Sequence, residues 1–185
     1  MKEPPGCMMN FVFTSGTRWG IGGTAGHCVD SLGQHVVLLT LALDSGNLVL
    51  IDIGTIIVRL NAGIGNDSAL VEIRPQLHSR VSPTTAIIAG AFVAYSGFGQ
   101  ETVMHYSHCL AIGTGGTSRA GLALTWKASS YCWSRPAIFG DSGSLVCITD
   151  LKAAGNLTHL VVDSRFLPSF VAGMRISRML SIASG

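Results

Sequence analysis

The amino-acid sequence predicts an all-β protein of antiparallel strands, and three observations predict it. Glycine is abundant (23 residues) and hydrophobic residues reach 48%, while charged residues are only 12%, about half the usual share of roughly 25%. That balance suits many short strands joined by tight turns and excludes a disordered chain. Runs rich in β-branched residues and leucine (Val36–Leu43, Leu48–Ile53 and Thr55–Leu60) are punctuated by turn signals such as Asp44-Ser45-Gly46-Asn47. Finally, 185 residues suit one compact unit or two small barrels sharing a core, and the polar, proline-marked stretch from Arg74-Pro75 through Ser82-Pro83 reads as the connection between them.

The remaining elements follow in order. Cys7–Phe13 reads as a strand and Thr14-Ser15-Gly16-Thr17 as a turn. Trp19-Gly20-Ile21-Gly22-Gly23 then leads into Thr24-Ala25-Gly26-His27-Cys28, where a lone histidine is as a rule structural. Asp67 enters the apolar strand Gly65–Ile73, either as an ordinary turn residue or as a functional acid. The second half holds strand-like blocks at Ala86–Tyr95, Glu101–Tyr106, Gly121–Trp126, Ser144–Ile148, Leu157–Val162 and Phe170–Arg175. Apolar residues at Ile176, Met179, Leu180 and Ile182 have helical spacing and predict a short C-terminal helix.

Several classes of partner and cofactor are disfavoured. Net charge is +2 and no basic run exists, so nucleic acid is not expected. No apolar run reaches the roughly 18–20 residues of a membrane span; Ala86–Gly99 is broken by Gly90, Ser96 and Gly97. The opening Met-Lys-Glu-Pro-Pro-Gly does not read as a signal peptide, so either the chain is cytoplasmic or a leader is removed ahead of it. The five cysteines, Cys7, Cys28, Cys109, Cys132 and Cys147, contain no C-x-x-C pair, and Cys147 reads as a buried free thiol. His105 and His108, next to Cys109, lack an acid at ligand spacing and read as strand-packing residues, so no metal site is expected. Gly113-Thr114-Gly115-Gly116-Thr117 lacks the Gly-Lys-Ser/Thr of a phosphate loop, and no cofactor is expected. The sequons Asn66-Asp67-Ser68 and Asn156-Leu157-Thr158 read as chance matches.

The stretch that carries chemistry is Phe139-Gly140-Asp141-Ser142-Gly143-Ser144-Leu145. A serine between glycines sits on a backbone free to bend sharply and approach a ligand. A serine hydroxyl is a poor nucleophile at neutral pH, and it needs a base that is itself oriented by an acid. His27, Asp67 and Ser142 supply these types in the order His…Asp…Ser. An α/β-hydrolase would run Ser…Asp…His with Gly-x-Ser-x-Gly, whereas here Ser144 holds the last position.

Thr24-Ala25-Gly26-His27-Cys28, Asp67-x-Ala69-Leu70-Val71 and Gly140-Asp141-Ser142-Gly143-Ser144 together resemble the three motifs of the chymotrypsin-fold serine proteases, in their streptogrisin-like bacterial branch. The resemblance implies two antiparallel six-stranded β-barrels packed together: residues 1–80 carrying His27 and Asp67, and residues 81–185 carrying Ser142 and the primary pocket. It implies a serine endopeptidase with the triad His27, Asp67 and Ser142 and an oxyanion hole from the N–H groups of Gly140 and Ser142. It also implies a Cys7–Cys28 disulfide and with it a secreted or extracytoplasmic location. Substrate would be a polypeptide and the protein a monomer, open to a protein inhibitor. For Asp141 the bacterial pattern implies an internal arginine partner, Arg119 or else Arg135. The pocket would be lined by Ile138, Phe139, Val162 and Asp163. Two departures stand out. Ser144 replaces the usual glycine, and His159-Leu160-Val161-Val162-Asp163-Ser164 replaces the Ser-Trp-Gly-like strand whose serine supports the acid. A catalytically silent binding protein of this fold, or a cytoplasmic hydrolase with reduced cysteines, are the competing readings.

Overall fold

The computed structural model describes residues 6–15, 18–41, 47–80, 92–97, 117–134, 137, 140–148, 153–162 and 168–184. The first half contributes β1 (Val12–Ser15), β2 (Arg18–Thr24), β3 (His35–Leu41), β4 (Leu48–Asn61) and β5 (Asp67–Ile73). Among the described residues these form one antiparallel sheet in the order β1-β2-β5-β4-β3. Of the expected six-stranded first barrel, the described residues form a five-stranded sheet. The second half contributes β6 (Phe92–Gly97), β7 (Thr117–Trp126), β8 (Ser130–Trp133), β9 (Leu145–Ile148), β10 (Ala153–Val162), β11 (Pro168–Arg175) and the helix α1 (Ile176–Ala183). Its strands close into a barrel in the order β10-β11-β8-β7-β6-β9. A 3-10 helix, Pro75–Arg80, begins the connection. No helix among the described residues is long and apolar enough to cross a membrane.

Three local expectations are corrected. Leu48–Ile53 and Thr55–Leu60 are one 14-residue strand, because Gly54 marks a bend and not a break. A Cβ there would lie 2.0 Å from the Glu72 carbonyl oxygen, so the missing side chain lets β4 press on β5 while the register shifts between Ile56 and Val58. The strand expected over Cys7–Phe13 begins only at Val12. The segment before it is held instead by single hydrogen bonds, Asn10 N–H to Gly23 O (2.8 Å) and Met8 N–H to Ser142 O (2.7 Å). Thr14 and Ser15, expected in a turn, belong to β1, after a bulge between Phe13 and Thr14. Strand β8 was not foreseen: four residues give too little period-two pattern, although Tyr131 and Trp133 alternate inward and stack at 5.0 Å between ring centroids.

Packing joins the halves. Phe11, Phe13, Ile21 and Leu70 from the first half share one cluster with Met174 from β11 and Ile176 and Met179 from α1. Tyr131, Trp133, Val146, Leu157 and Val171 fill the second barrel. The helix buries Ile176 and Met179, positions three apart on one face, and presents Arg178, whose guanidinium donates to Asn66 Oδ1 at 3.1 Å. It thereby steadies the loop that runs into Asp67.

Where the start of β3 lies beside β4, Asp52 is held by two side chains. Arg74 donates to both of its oxygens, and His35 Nδ1 donates at 2.8 Å. Hydrogen bonds from Arg74 first, then from His35, hold the carboxyl down to about 2 from an ordinary 3.8. A folded-state value below the unfolded one stabilises the fold above the unfolded value, and that contribution is lost as pH falls through the folded value. Asp52→Asn should therefore lower the denaturation midpoint at pH 5–7, with the difference from wild type closing between about pH 4 and pH 2. A gap that stays constant across that range would contradict the account.

Candidate active site

The residues that meet at the junction of the two halves are placed by backbone contacts. Strand β2 ends at Thr24, paired with Ala69 of β5, and a 3-10 turn, Gly26–Cys28, follows. Gly26 is required there: a Cβ would lie 1.9 Å from Leu60 O and 2.9 Å from Ser68 O. The turn therefore lies against the backbones of β4 and β5 and brings His27 over the start of β5. The Cys7–Cys28 disulfide is formed and ties the turn to the N-terminal segment.

Asp67 is the first residue of β5 and is 1% exposed. Its Oδ1 accepts the His27 backbone N–H at 2.9 Å, and its Oδ2 lies 2.6 Å from His27 Nδ1. The only donor Nδ1 can offer a carboxylate is its own hydrogen, so this contact puts the proton on Nδ1 and the lone pair on Nε2. The imidazole side chain is 36% exposed, so its outer edge is open to a reactant while the acid is not.

The serine loop reaches the same junction from the other half. Gly140 and Gly143 have φ of +102° and +86°, a region that favours glycine. Asp141 is fully buried. Ser142 O accepts from Met8 N–H, and Met8 O in turn accepts from Thr24 Oγ1 at 2.7 Å. A Cβ on Gly143 would lie 2.1 Å from Met8 O and 2.6 Å from Thr24 Oγ1, so only glycine lets the loop seat this closely, three residues before His27. Gly143 N–H bonds Leu157 O (2.8 Å) and Ser144 N–H bonds Asp141 O (3.0 Å). Among the described residues, no backbone acceptor takes the N–H of Gly140 or Ser142. Ser144 is buried, and its Oγ has no hydrogen-bond partner among the described residues.

Solved structures with this arrangement of strands include Thermobifida fusca protease A, at 20% sequence identity over 95% of this chain and 87% of that one, with a TM-score of 0.59. A thermostable serine protease, AL20, from an extremophilic microorganism is similar at 15% identity, 96% and 88% coverage and a TM-score of 0.65. A serine protease of a human pathogenic astrovirus is similar at 12% identity, 91% and 86% coverage and a TM-score of 0.52. The fold is that of the chymotrypsin-like bacterial serine proteases. No family model and no curated protein matches the sequence.

Beside His27 and Asp67 stand two residues that sequence reasoning passed over. Asn156, noticed only as a sequon, is fully buried and so closed to a glycan. Its Nδ2 donates to Thr24 O and to Asp67 O, each at 3.3 Å, and its Oδ1 accepts Met174 N–H at 3.3 Å. His159, named only as part of a pocket strand, brings its Nδ1 to 3.9 Å from Asp67 Oδ2 and sets its ring edge-on to His27 at 6.3 Å. A buried asparagine in a strand interior was the available signal for the first, since such a group needs partners. Nothing local marked the second.

Other expected site residues lie partly or wholly outside the described residues. Arg119 lies on β7 opposite Tyr95, with its side chain outside the described residues. Arg135, Ile138, Phe139 and Asp163 also lie outside them, as do His105, His108 and Cys109. Val162 ends β10 opposite Pro168. Cys132 is a half-buried free thiol whose pKa burial pushes up, against a lowering hydrogen bond with Thr125 and the charge of Lys127; such a thiol is a weak nucleophile. Ligand atoms of Cys7, His27 and Cys28 lie within 4.8 Å of one another, but both sulfurs are spent in the disulfide and neither can be the thiolate a metal needs.

Proposed function

We propose that the protein is a serine endopeptidase that cleaves peptide bonds through an acyl-enzyme. The observation that carries this reading is the two-point hold of Asp67 on His27, through the backbone N–H and Nδ1. That hold presents Nε2 as a base at the junction where the Ser142 loop docks on Met8. Ser142 Oγ attacks the scissile carbonyl while His27 Nε2 takes its proton. The imidazolium then gives that proton to the leaving amine, and Asp67 stabilises it without itself becoming protonated. The N–H groups of Gly140 and Ser142 receive the oxyanion. Removing one such donor typically costs about 3–4 kcal/mol of transition-state stabilisation. A water, activated by the same His27, releases the acyl group.

The similar solved structures carry serine proteases on this fold, which supports a polypeptide substrate. The disulfide supports action in an oxidising compartment, that is, a secreted or extracytoplasmic enzyme. A fluorophosphonate probe tests the assignment: one covalent adduct per chain, mapped by mass spectrometry to Ser142 and absent from Ser142→Ala. Correctly folded protein that takes up no probe would leave a protease-fold binding protein as the reading.

A further inference from the structure

His159 stands where it can share Asp67 with His27. Thr158 Oγ1 lies 3.4 Å from Ala172 O and 2.8 Å from His159 Nδ1. The Nδ1 of neutral His159 is thus engaged by Thr158, which leaves Asp67 to His27. Among the described residues the charged or titratable groups facing His159 are Asp67, from β5, and His27, from the 3-10 turn. Opposite it on β11 stands Ala172, which carries neither.

We propose that His159 is a positioning residue that switches the Asp67–His27 pair off on acidification, so that the site loses its base by taking up two protons rather than one. The inference rests on the reading of His27 as the base for Ser142. The chemistry is a contest for one carboxylate. A cation formed on His159, 3.9 Å from Asp67 Oδ2, draws on the same oxygen that orients His27 Nδ1. The same charge sits beside the His27 ring and opposes the imidazolium that must form during catalysis. Both effects weaken His27 as a base. The environment poises the switch: burial pulls the His159 pKa down, Asp67 opposes that shift, and His27 adds to it. At neutral pH the second imidazole is thus neutral and the pair is intact.

Two measurements on wild type and His159→Gln test this, one of them independent of activity. In the first, the imidazole resonances are titrated by NMR between pH 4 and 8. The His27 curve is expected to show two inflections in wild type and one in H159Q, because only wild type has a neighbour titrating on the shared carboxylate. The second is the rate at which diisopropyl fluorophosphate phosphorylates Ser142 with loss of fluoride, with each protein normalised to its own plateau at pH 8. On the acid limb, wild type should fall about a hundredfold per pH unit once both groups titrate, and H159Q about tenfold. A single-step His27 curve identical in the two proteins, or parallel acid limbs, overturns the proposal. Failure of wild type to react with the probe at any pH would instead sink the endopeptidase reading, and the NMR titration would still decide whether His159 is coupled to His27.

Discussion

Asp67→Asn should lower kcat/KM on a small ester or peptide substrate by on the order of 10⁴, close to 5.5 kcal/mol of transition-state stabilisation, with the fold left standing. The size follows from the two hydrogen bonds. Asp67 Oδ1 accepts the His27 backbone N–H and Oδ2 accepts from Nδ1. An amide keeps one oxygen, and the backbone N–H claims it, so the NH₂ group is turned on Nδ1. A donor facing Nδ1 drives the imidazole proton to Nε2, and a protonated Nε2 cannot accept the Ser142 hydrogen. The ring stays in place with the wrong tautomer. Circular dichroism and the denaturation midpoint should change little, since one buried acceptor is exchanged for a near-isosteric amide. A loss of activity below tenfold would show that Asp67 does not set the tautomer.

What made this legible in the sequence was chemistry that needs fixed residue types in short stretches. Gly26 is specified because a carbonyl lies where its Cβ would go, and Gly143 because Met8 O and Thr24 Oγ1 do; these steric demands keep the His and Ser stretches recognisable. Fold class was legible for a related reason, since alternation and turn residues are local properties of strands. Contacts made across long sequence separations were not. His159 is 92 residues from the Asp67 it approaches, and no local pattern distinguishes it from a histidine on an ordinary strand. Gly54 misled because a glycine between two apolar runs looks the same whether the chain turns there or presses on its neighbour. The β8 strand was missed because its identity comes from the stacked Tyr131 and Trp133 inside the barrel and not from its four-residue sequence.

Asn156 offers the second large effect, because it makes the geometry around His27 and Asp67 depend on both halves of the molecule at once. One amide donates to the end of the strand that delivers His27 and to the backbone of Asp67 itself, and accepts from Met174 on β11. All three partners are backbone groups and the asparagine is fully buried, so truncation removes a partner from each away from water, with only Thr24 O keeping a second side-chain donor, the Ser68 hydroxyl at 3.5 Å. A net hydrogen bond is worth about 1 kcal/mol, and a stranded buried polar group costs roughly 1–3 kcal/mol. Asn156→Ala should therefore lose about 3 kcal/mol of stability, a fall of roughly 6–12 °C in Tm for a chain of this size. It should also slow probe reaction at Ser142 in the remaining folded fraction, because Thr24 also holds Met8, on which the serine loop rests. Asn156→Asp separates packing from hydrogen bonding. It keeps the volume and the acceptor for Met174 but turns a second acceptor on two carbonyl oxygens, a repulsion that only protonation of the new carboxyl relieves. This variant should be less stable than Asn156→Ala at pH 7 and recover as pH falls towards 5, whereas Asn156→Ala should show no such recovery relative to wild type. Equal stability of the two variants at every pH would mean that the side chain fills space and that its amide does not clamp the halves together.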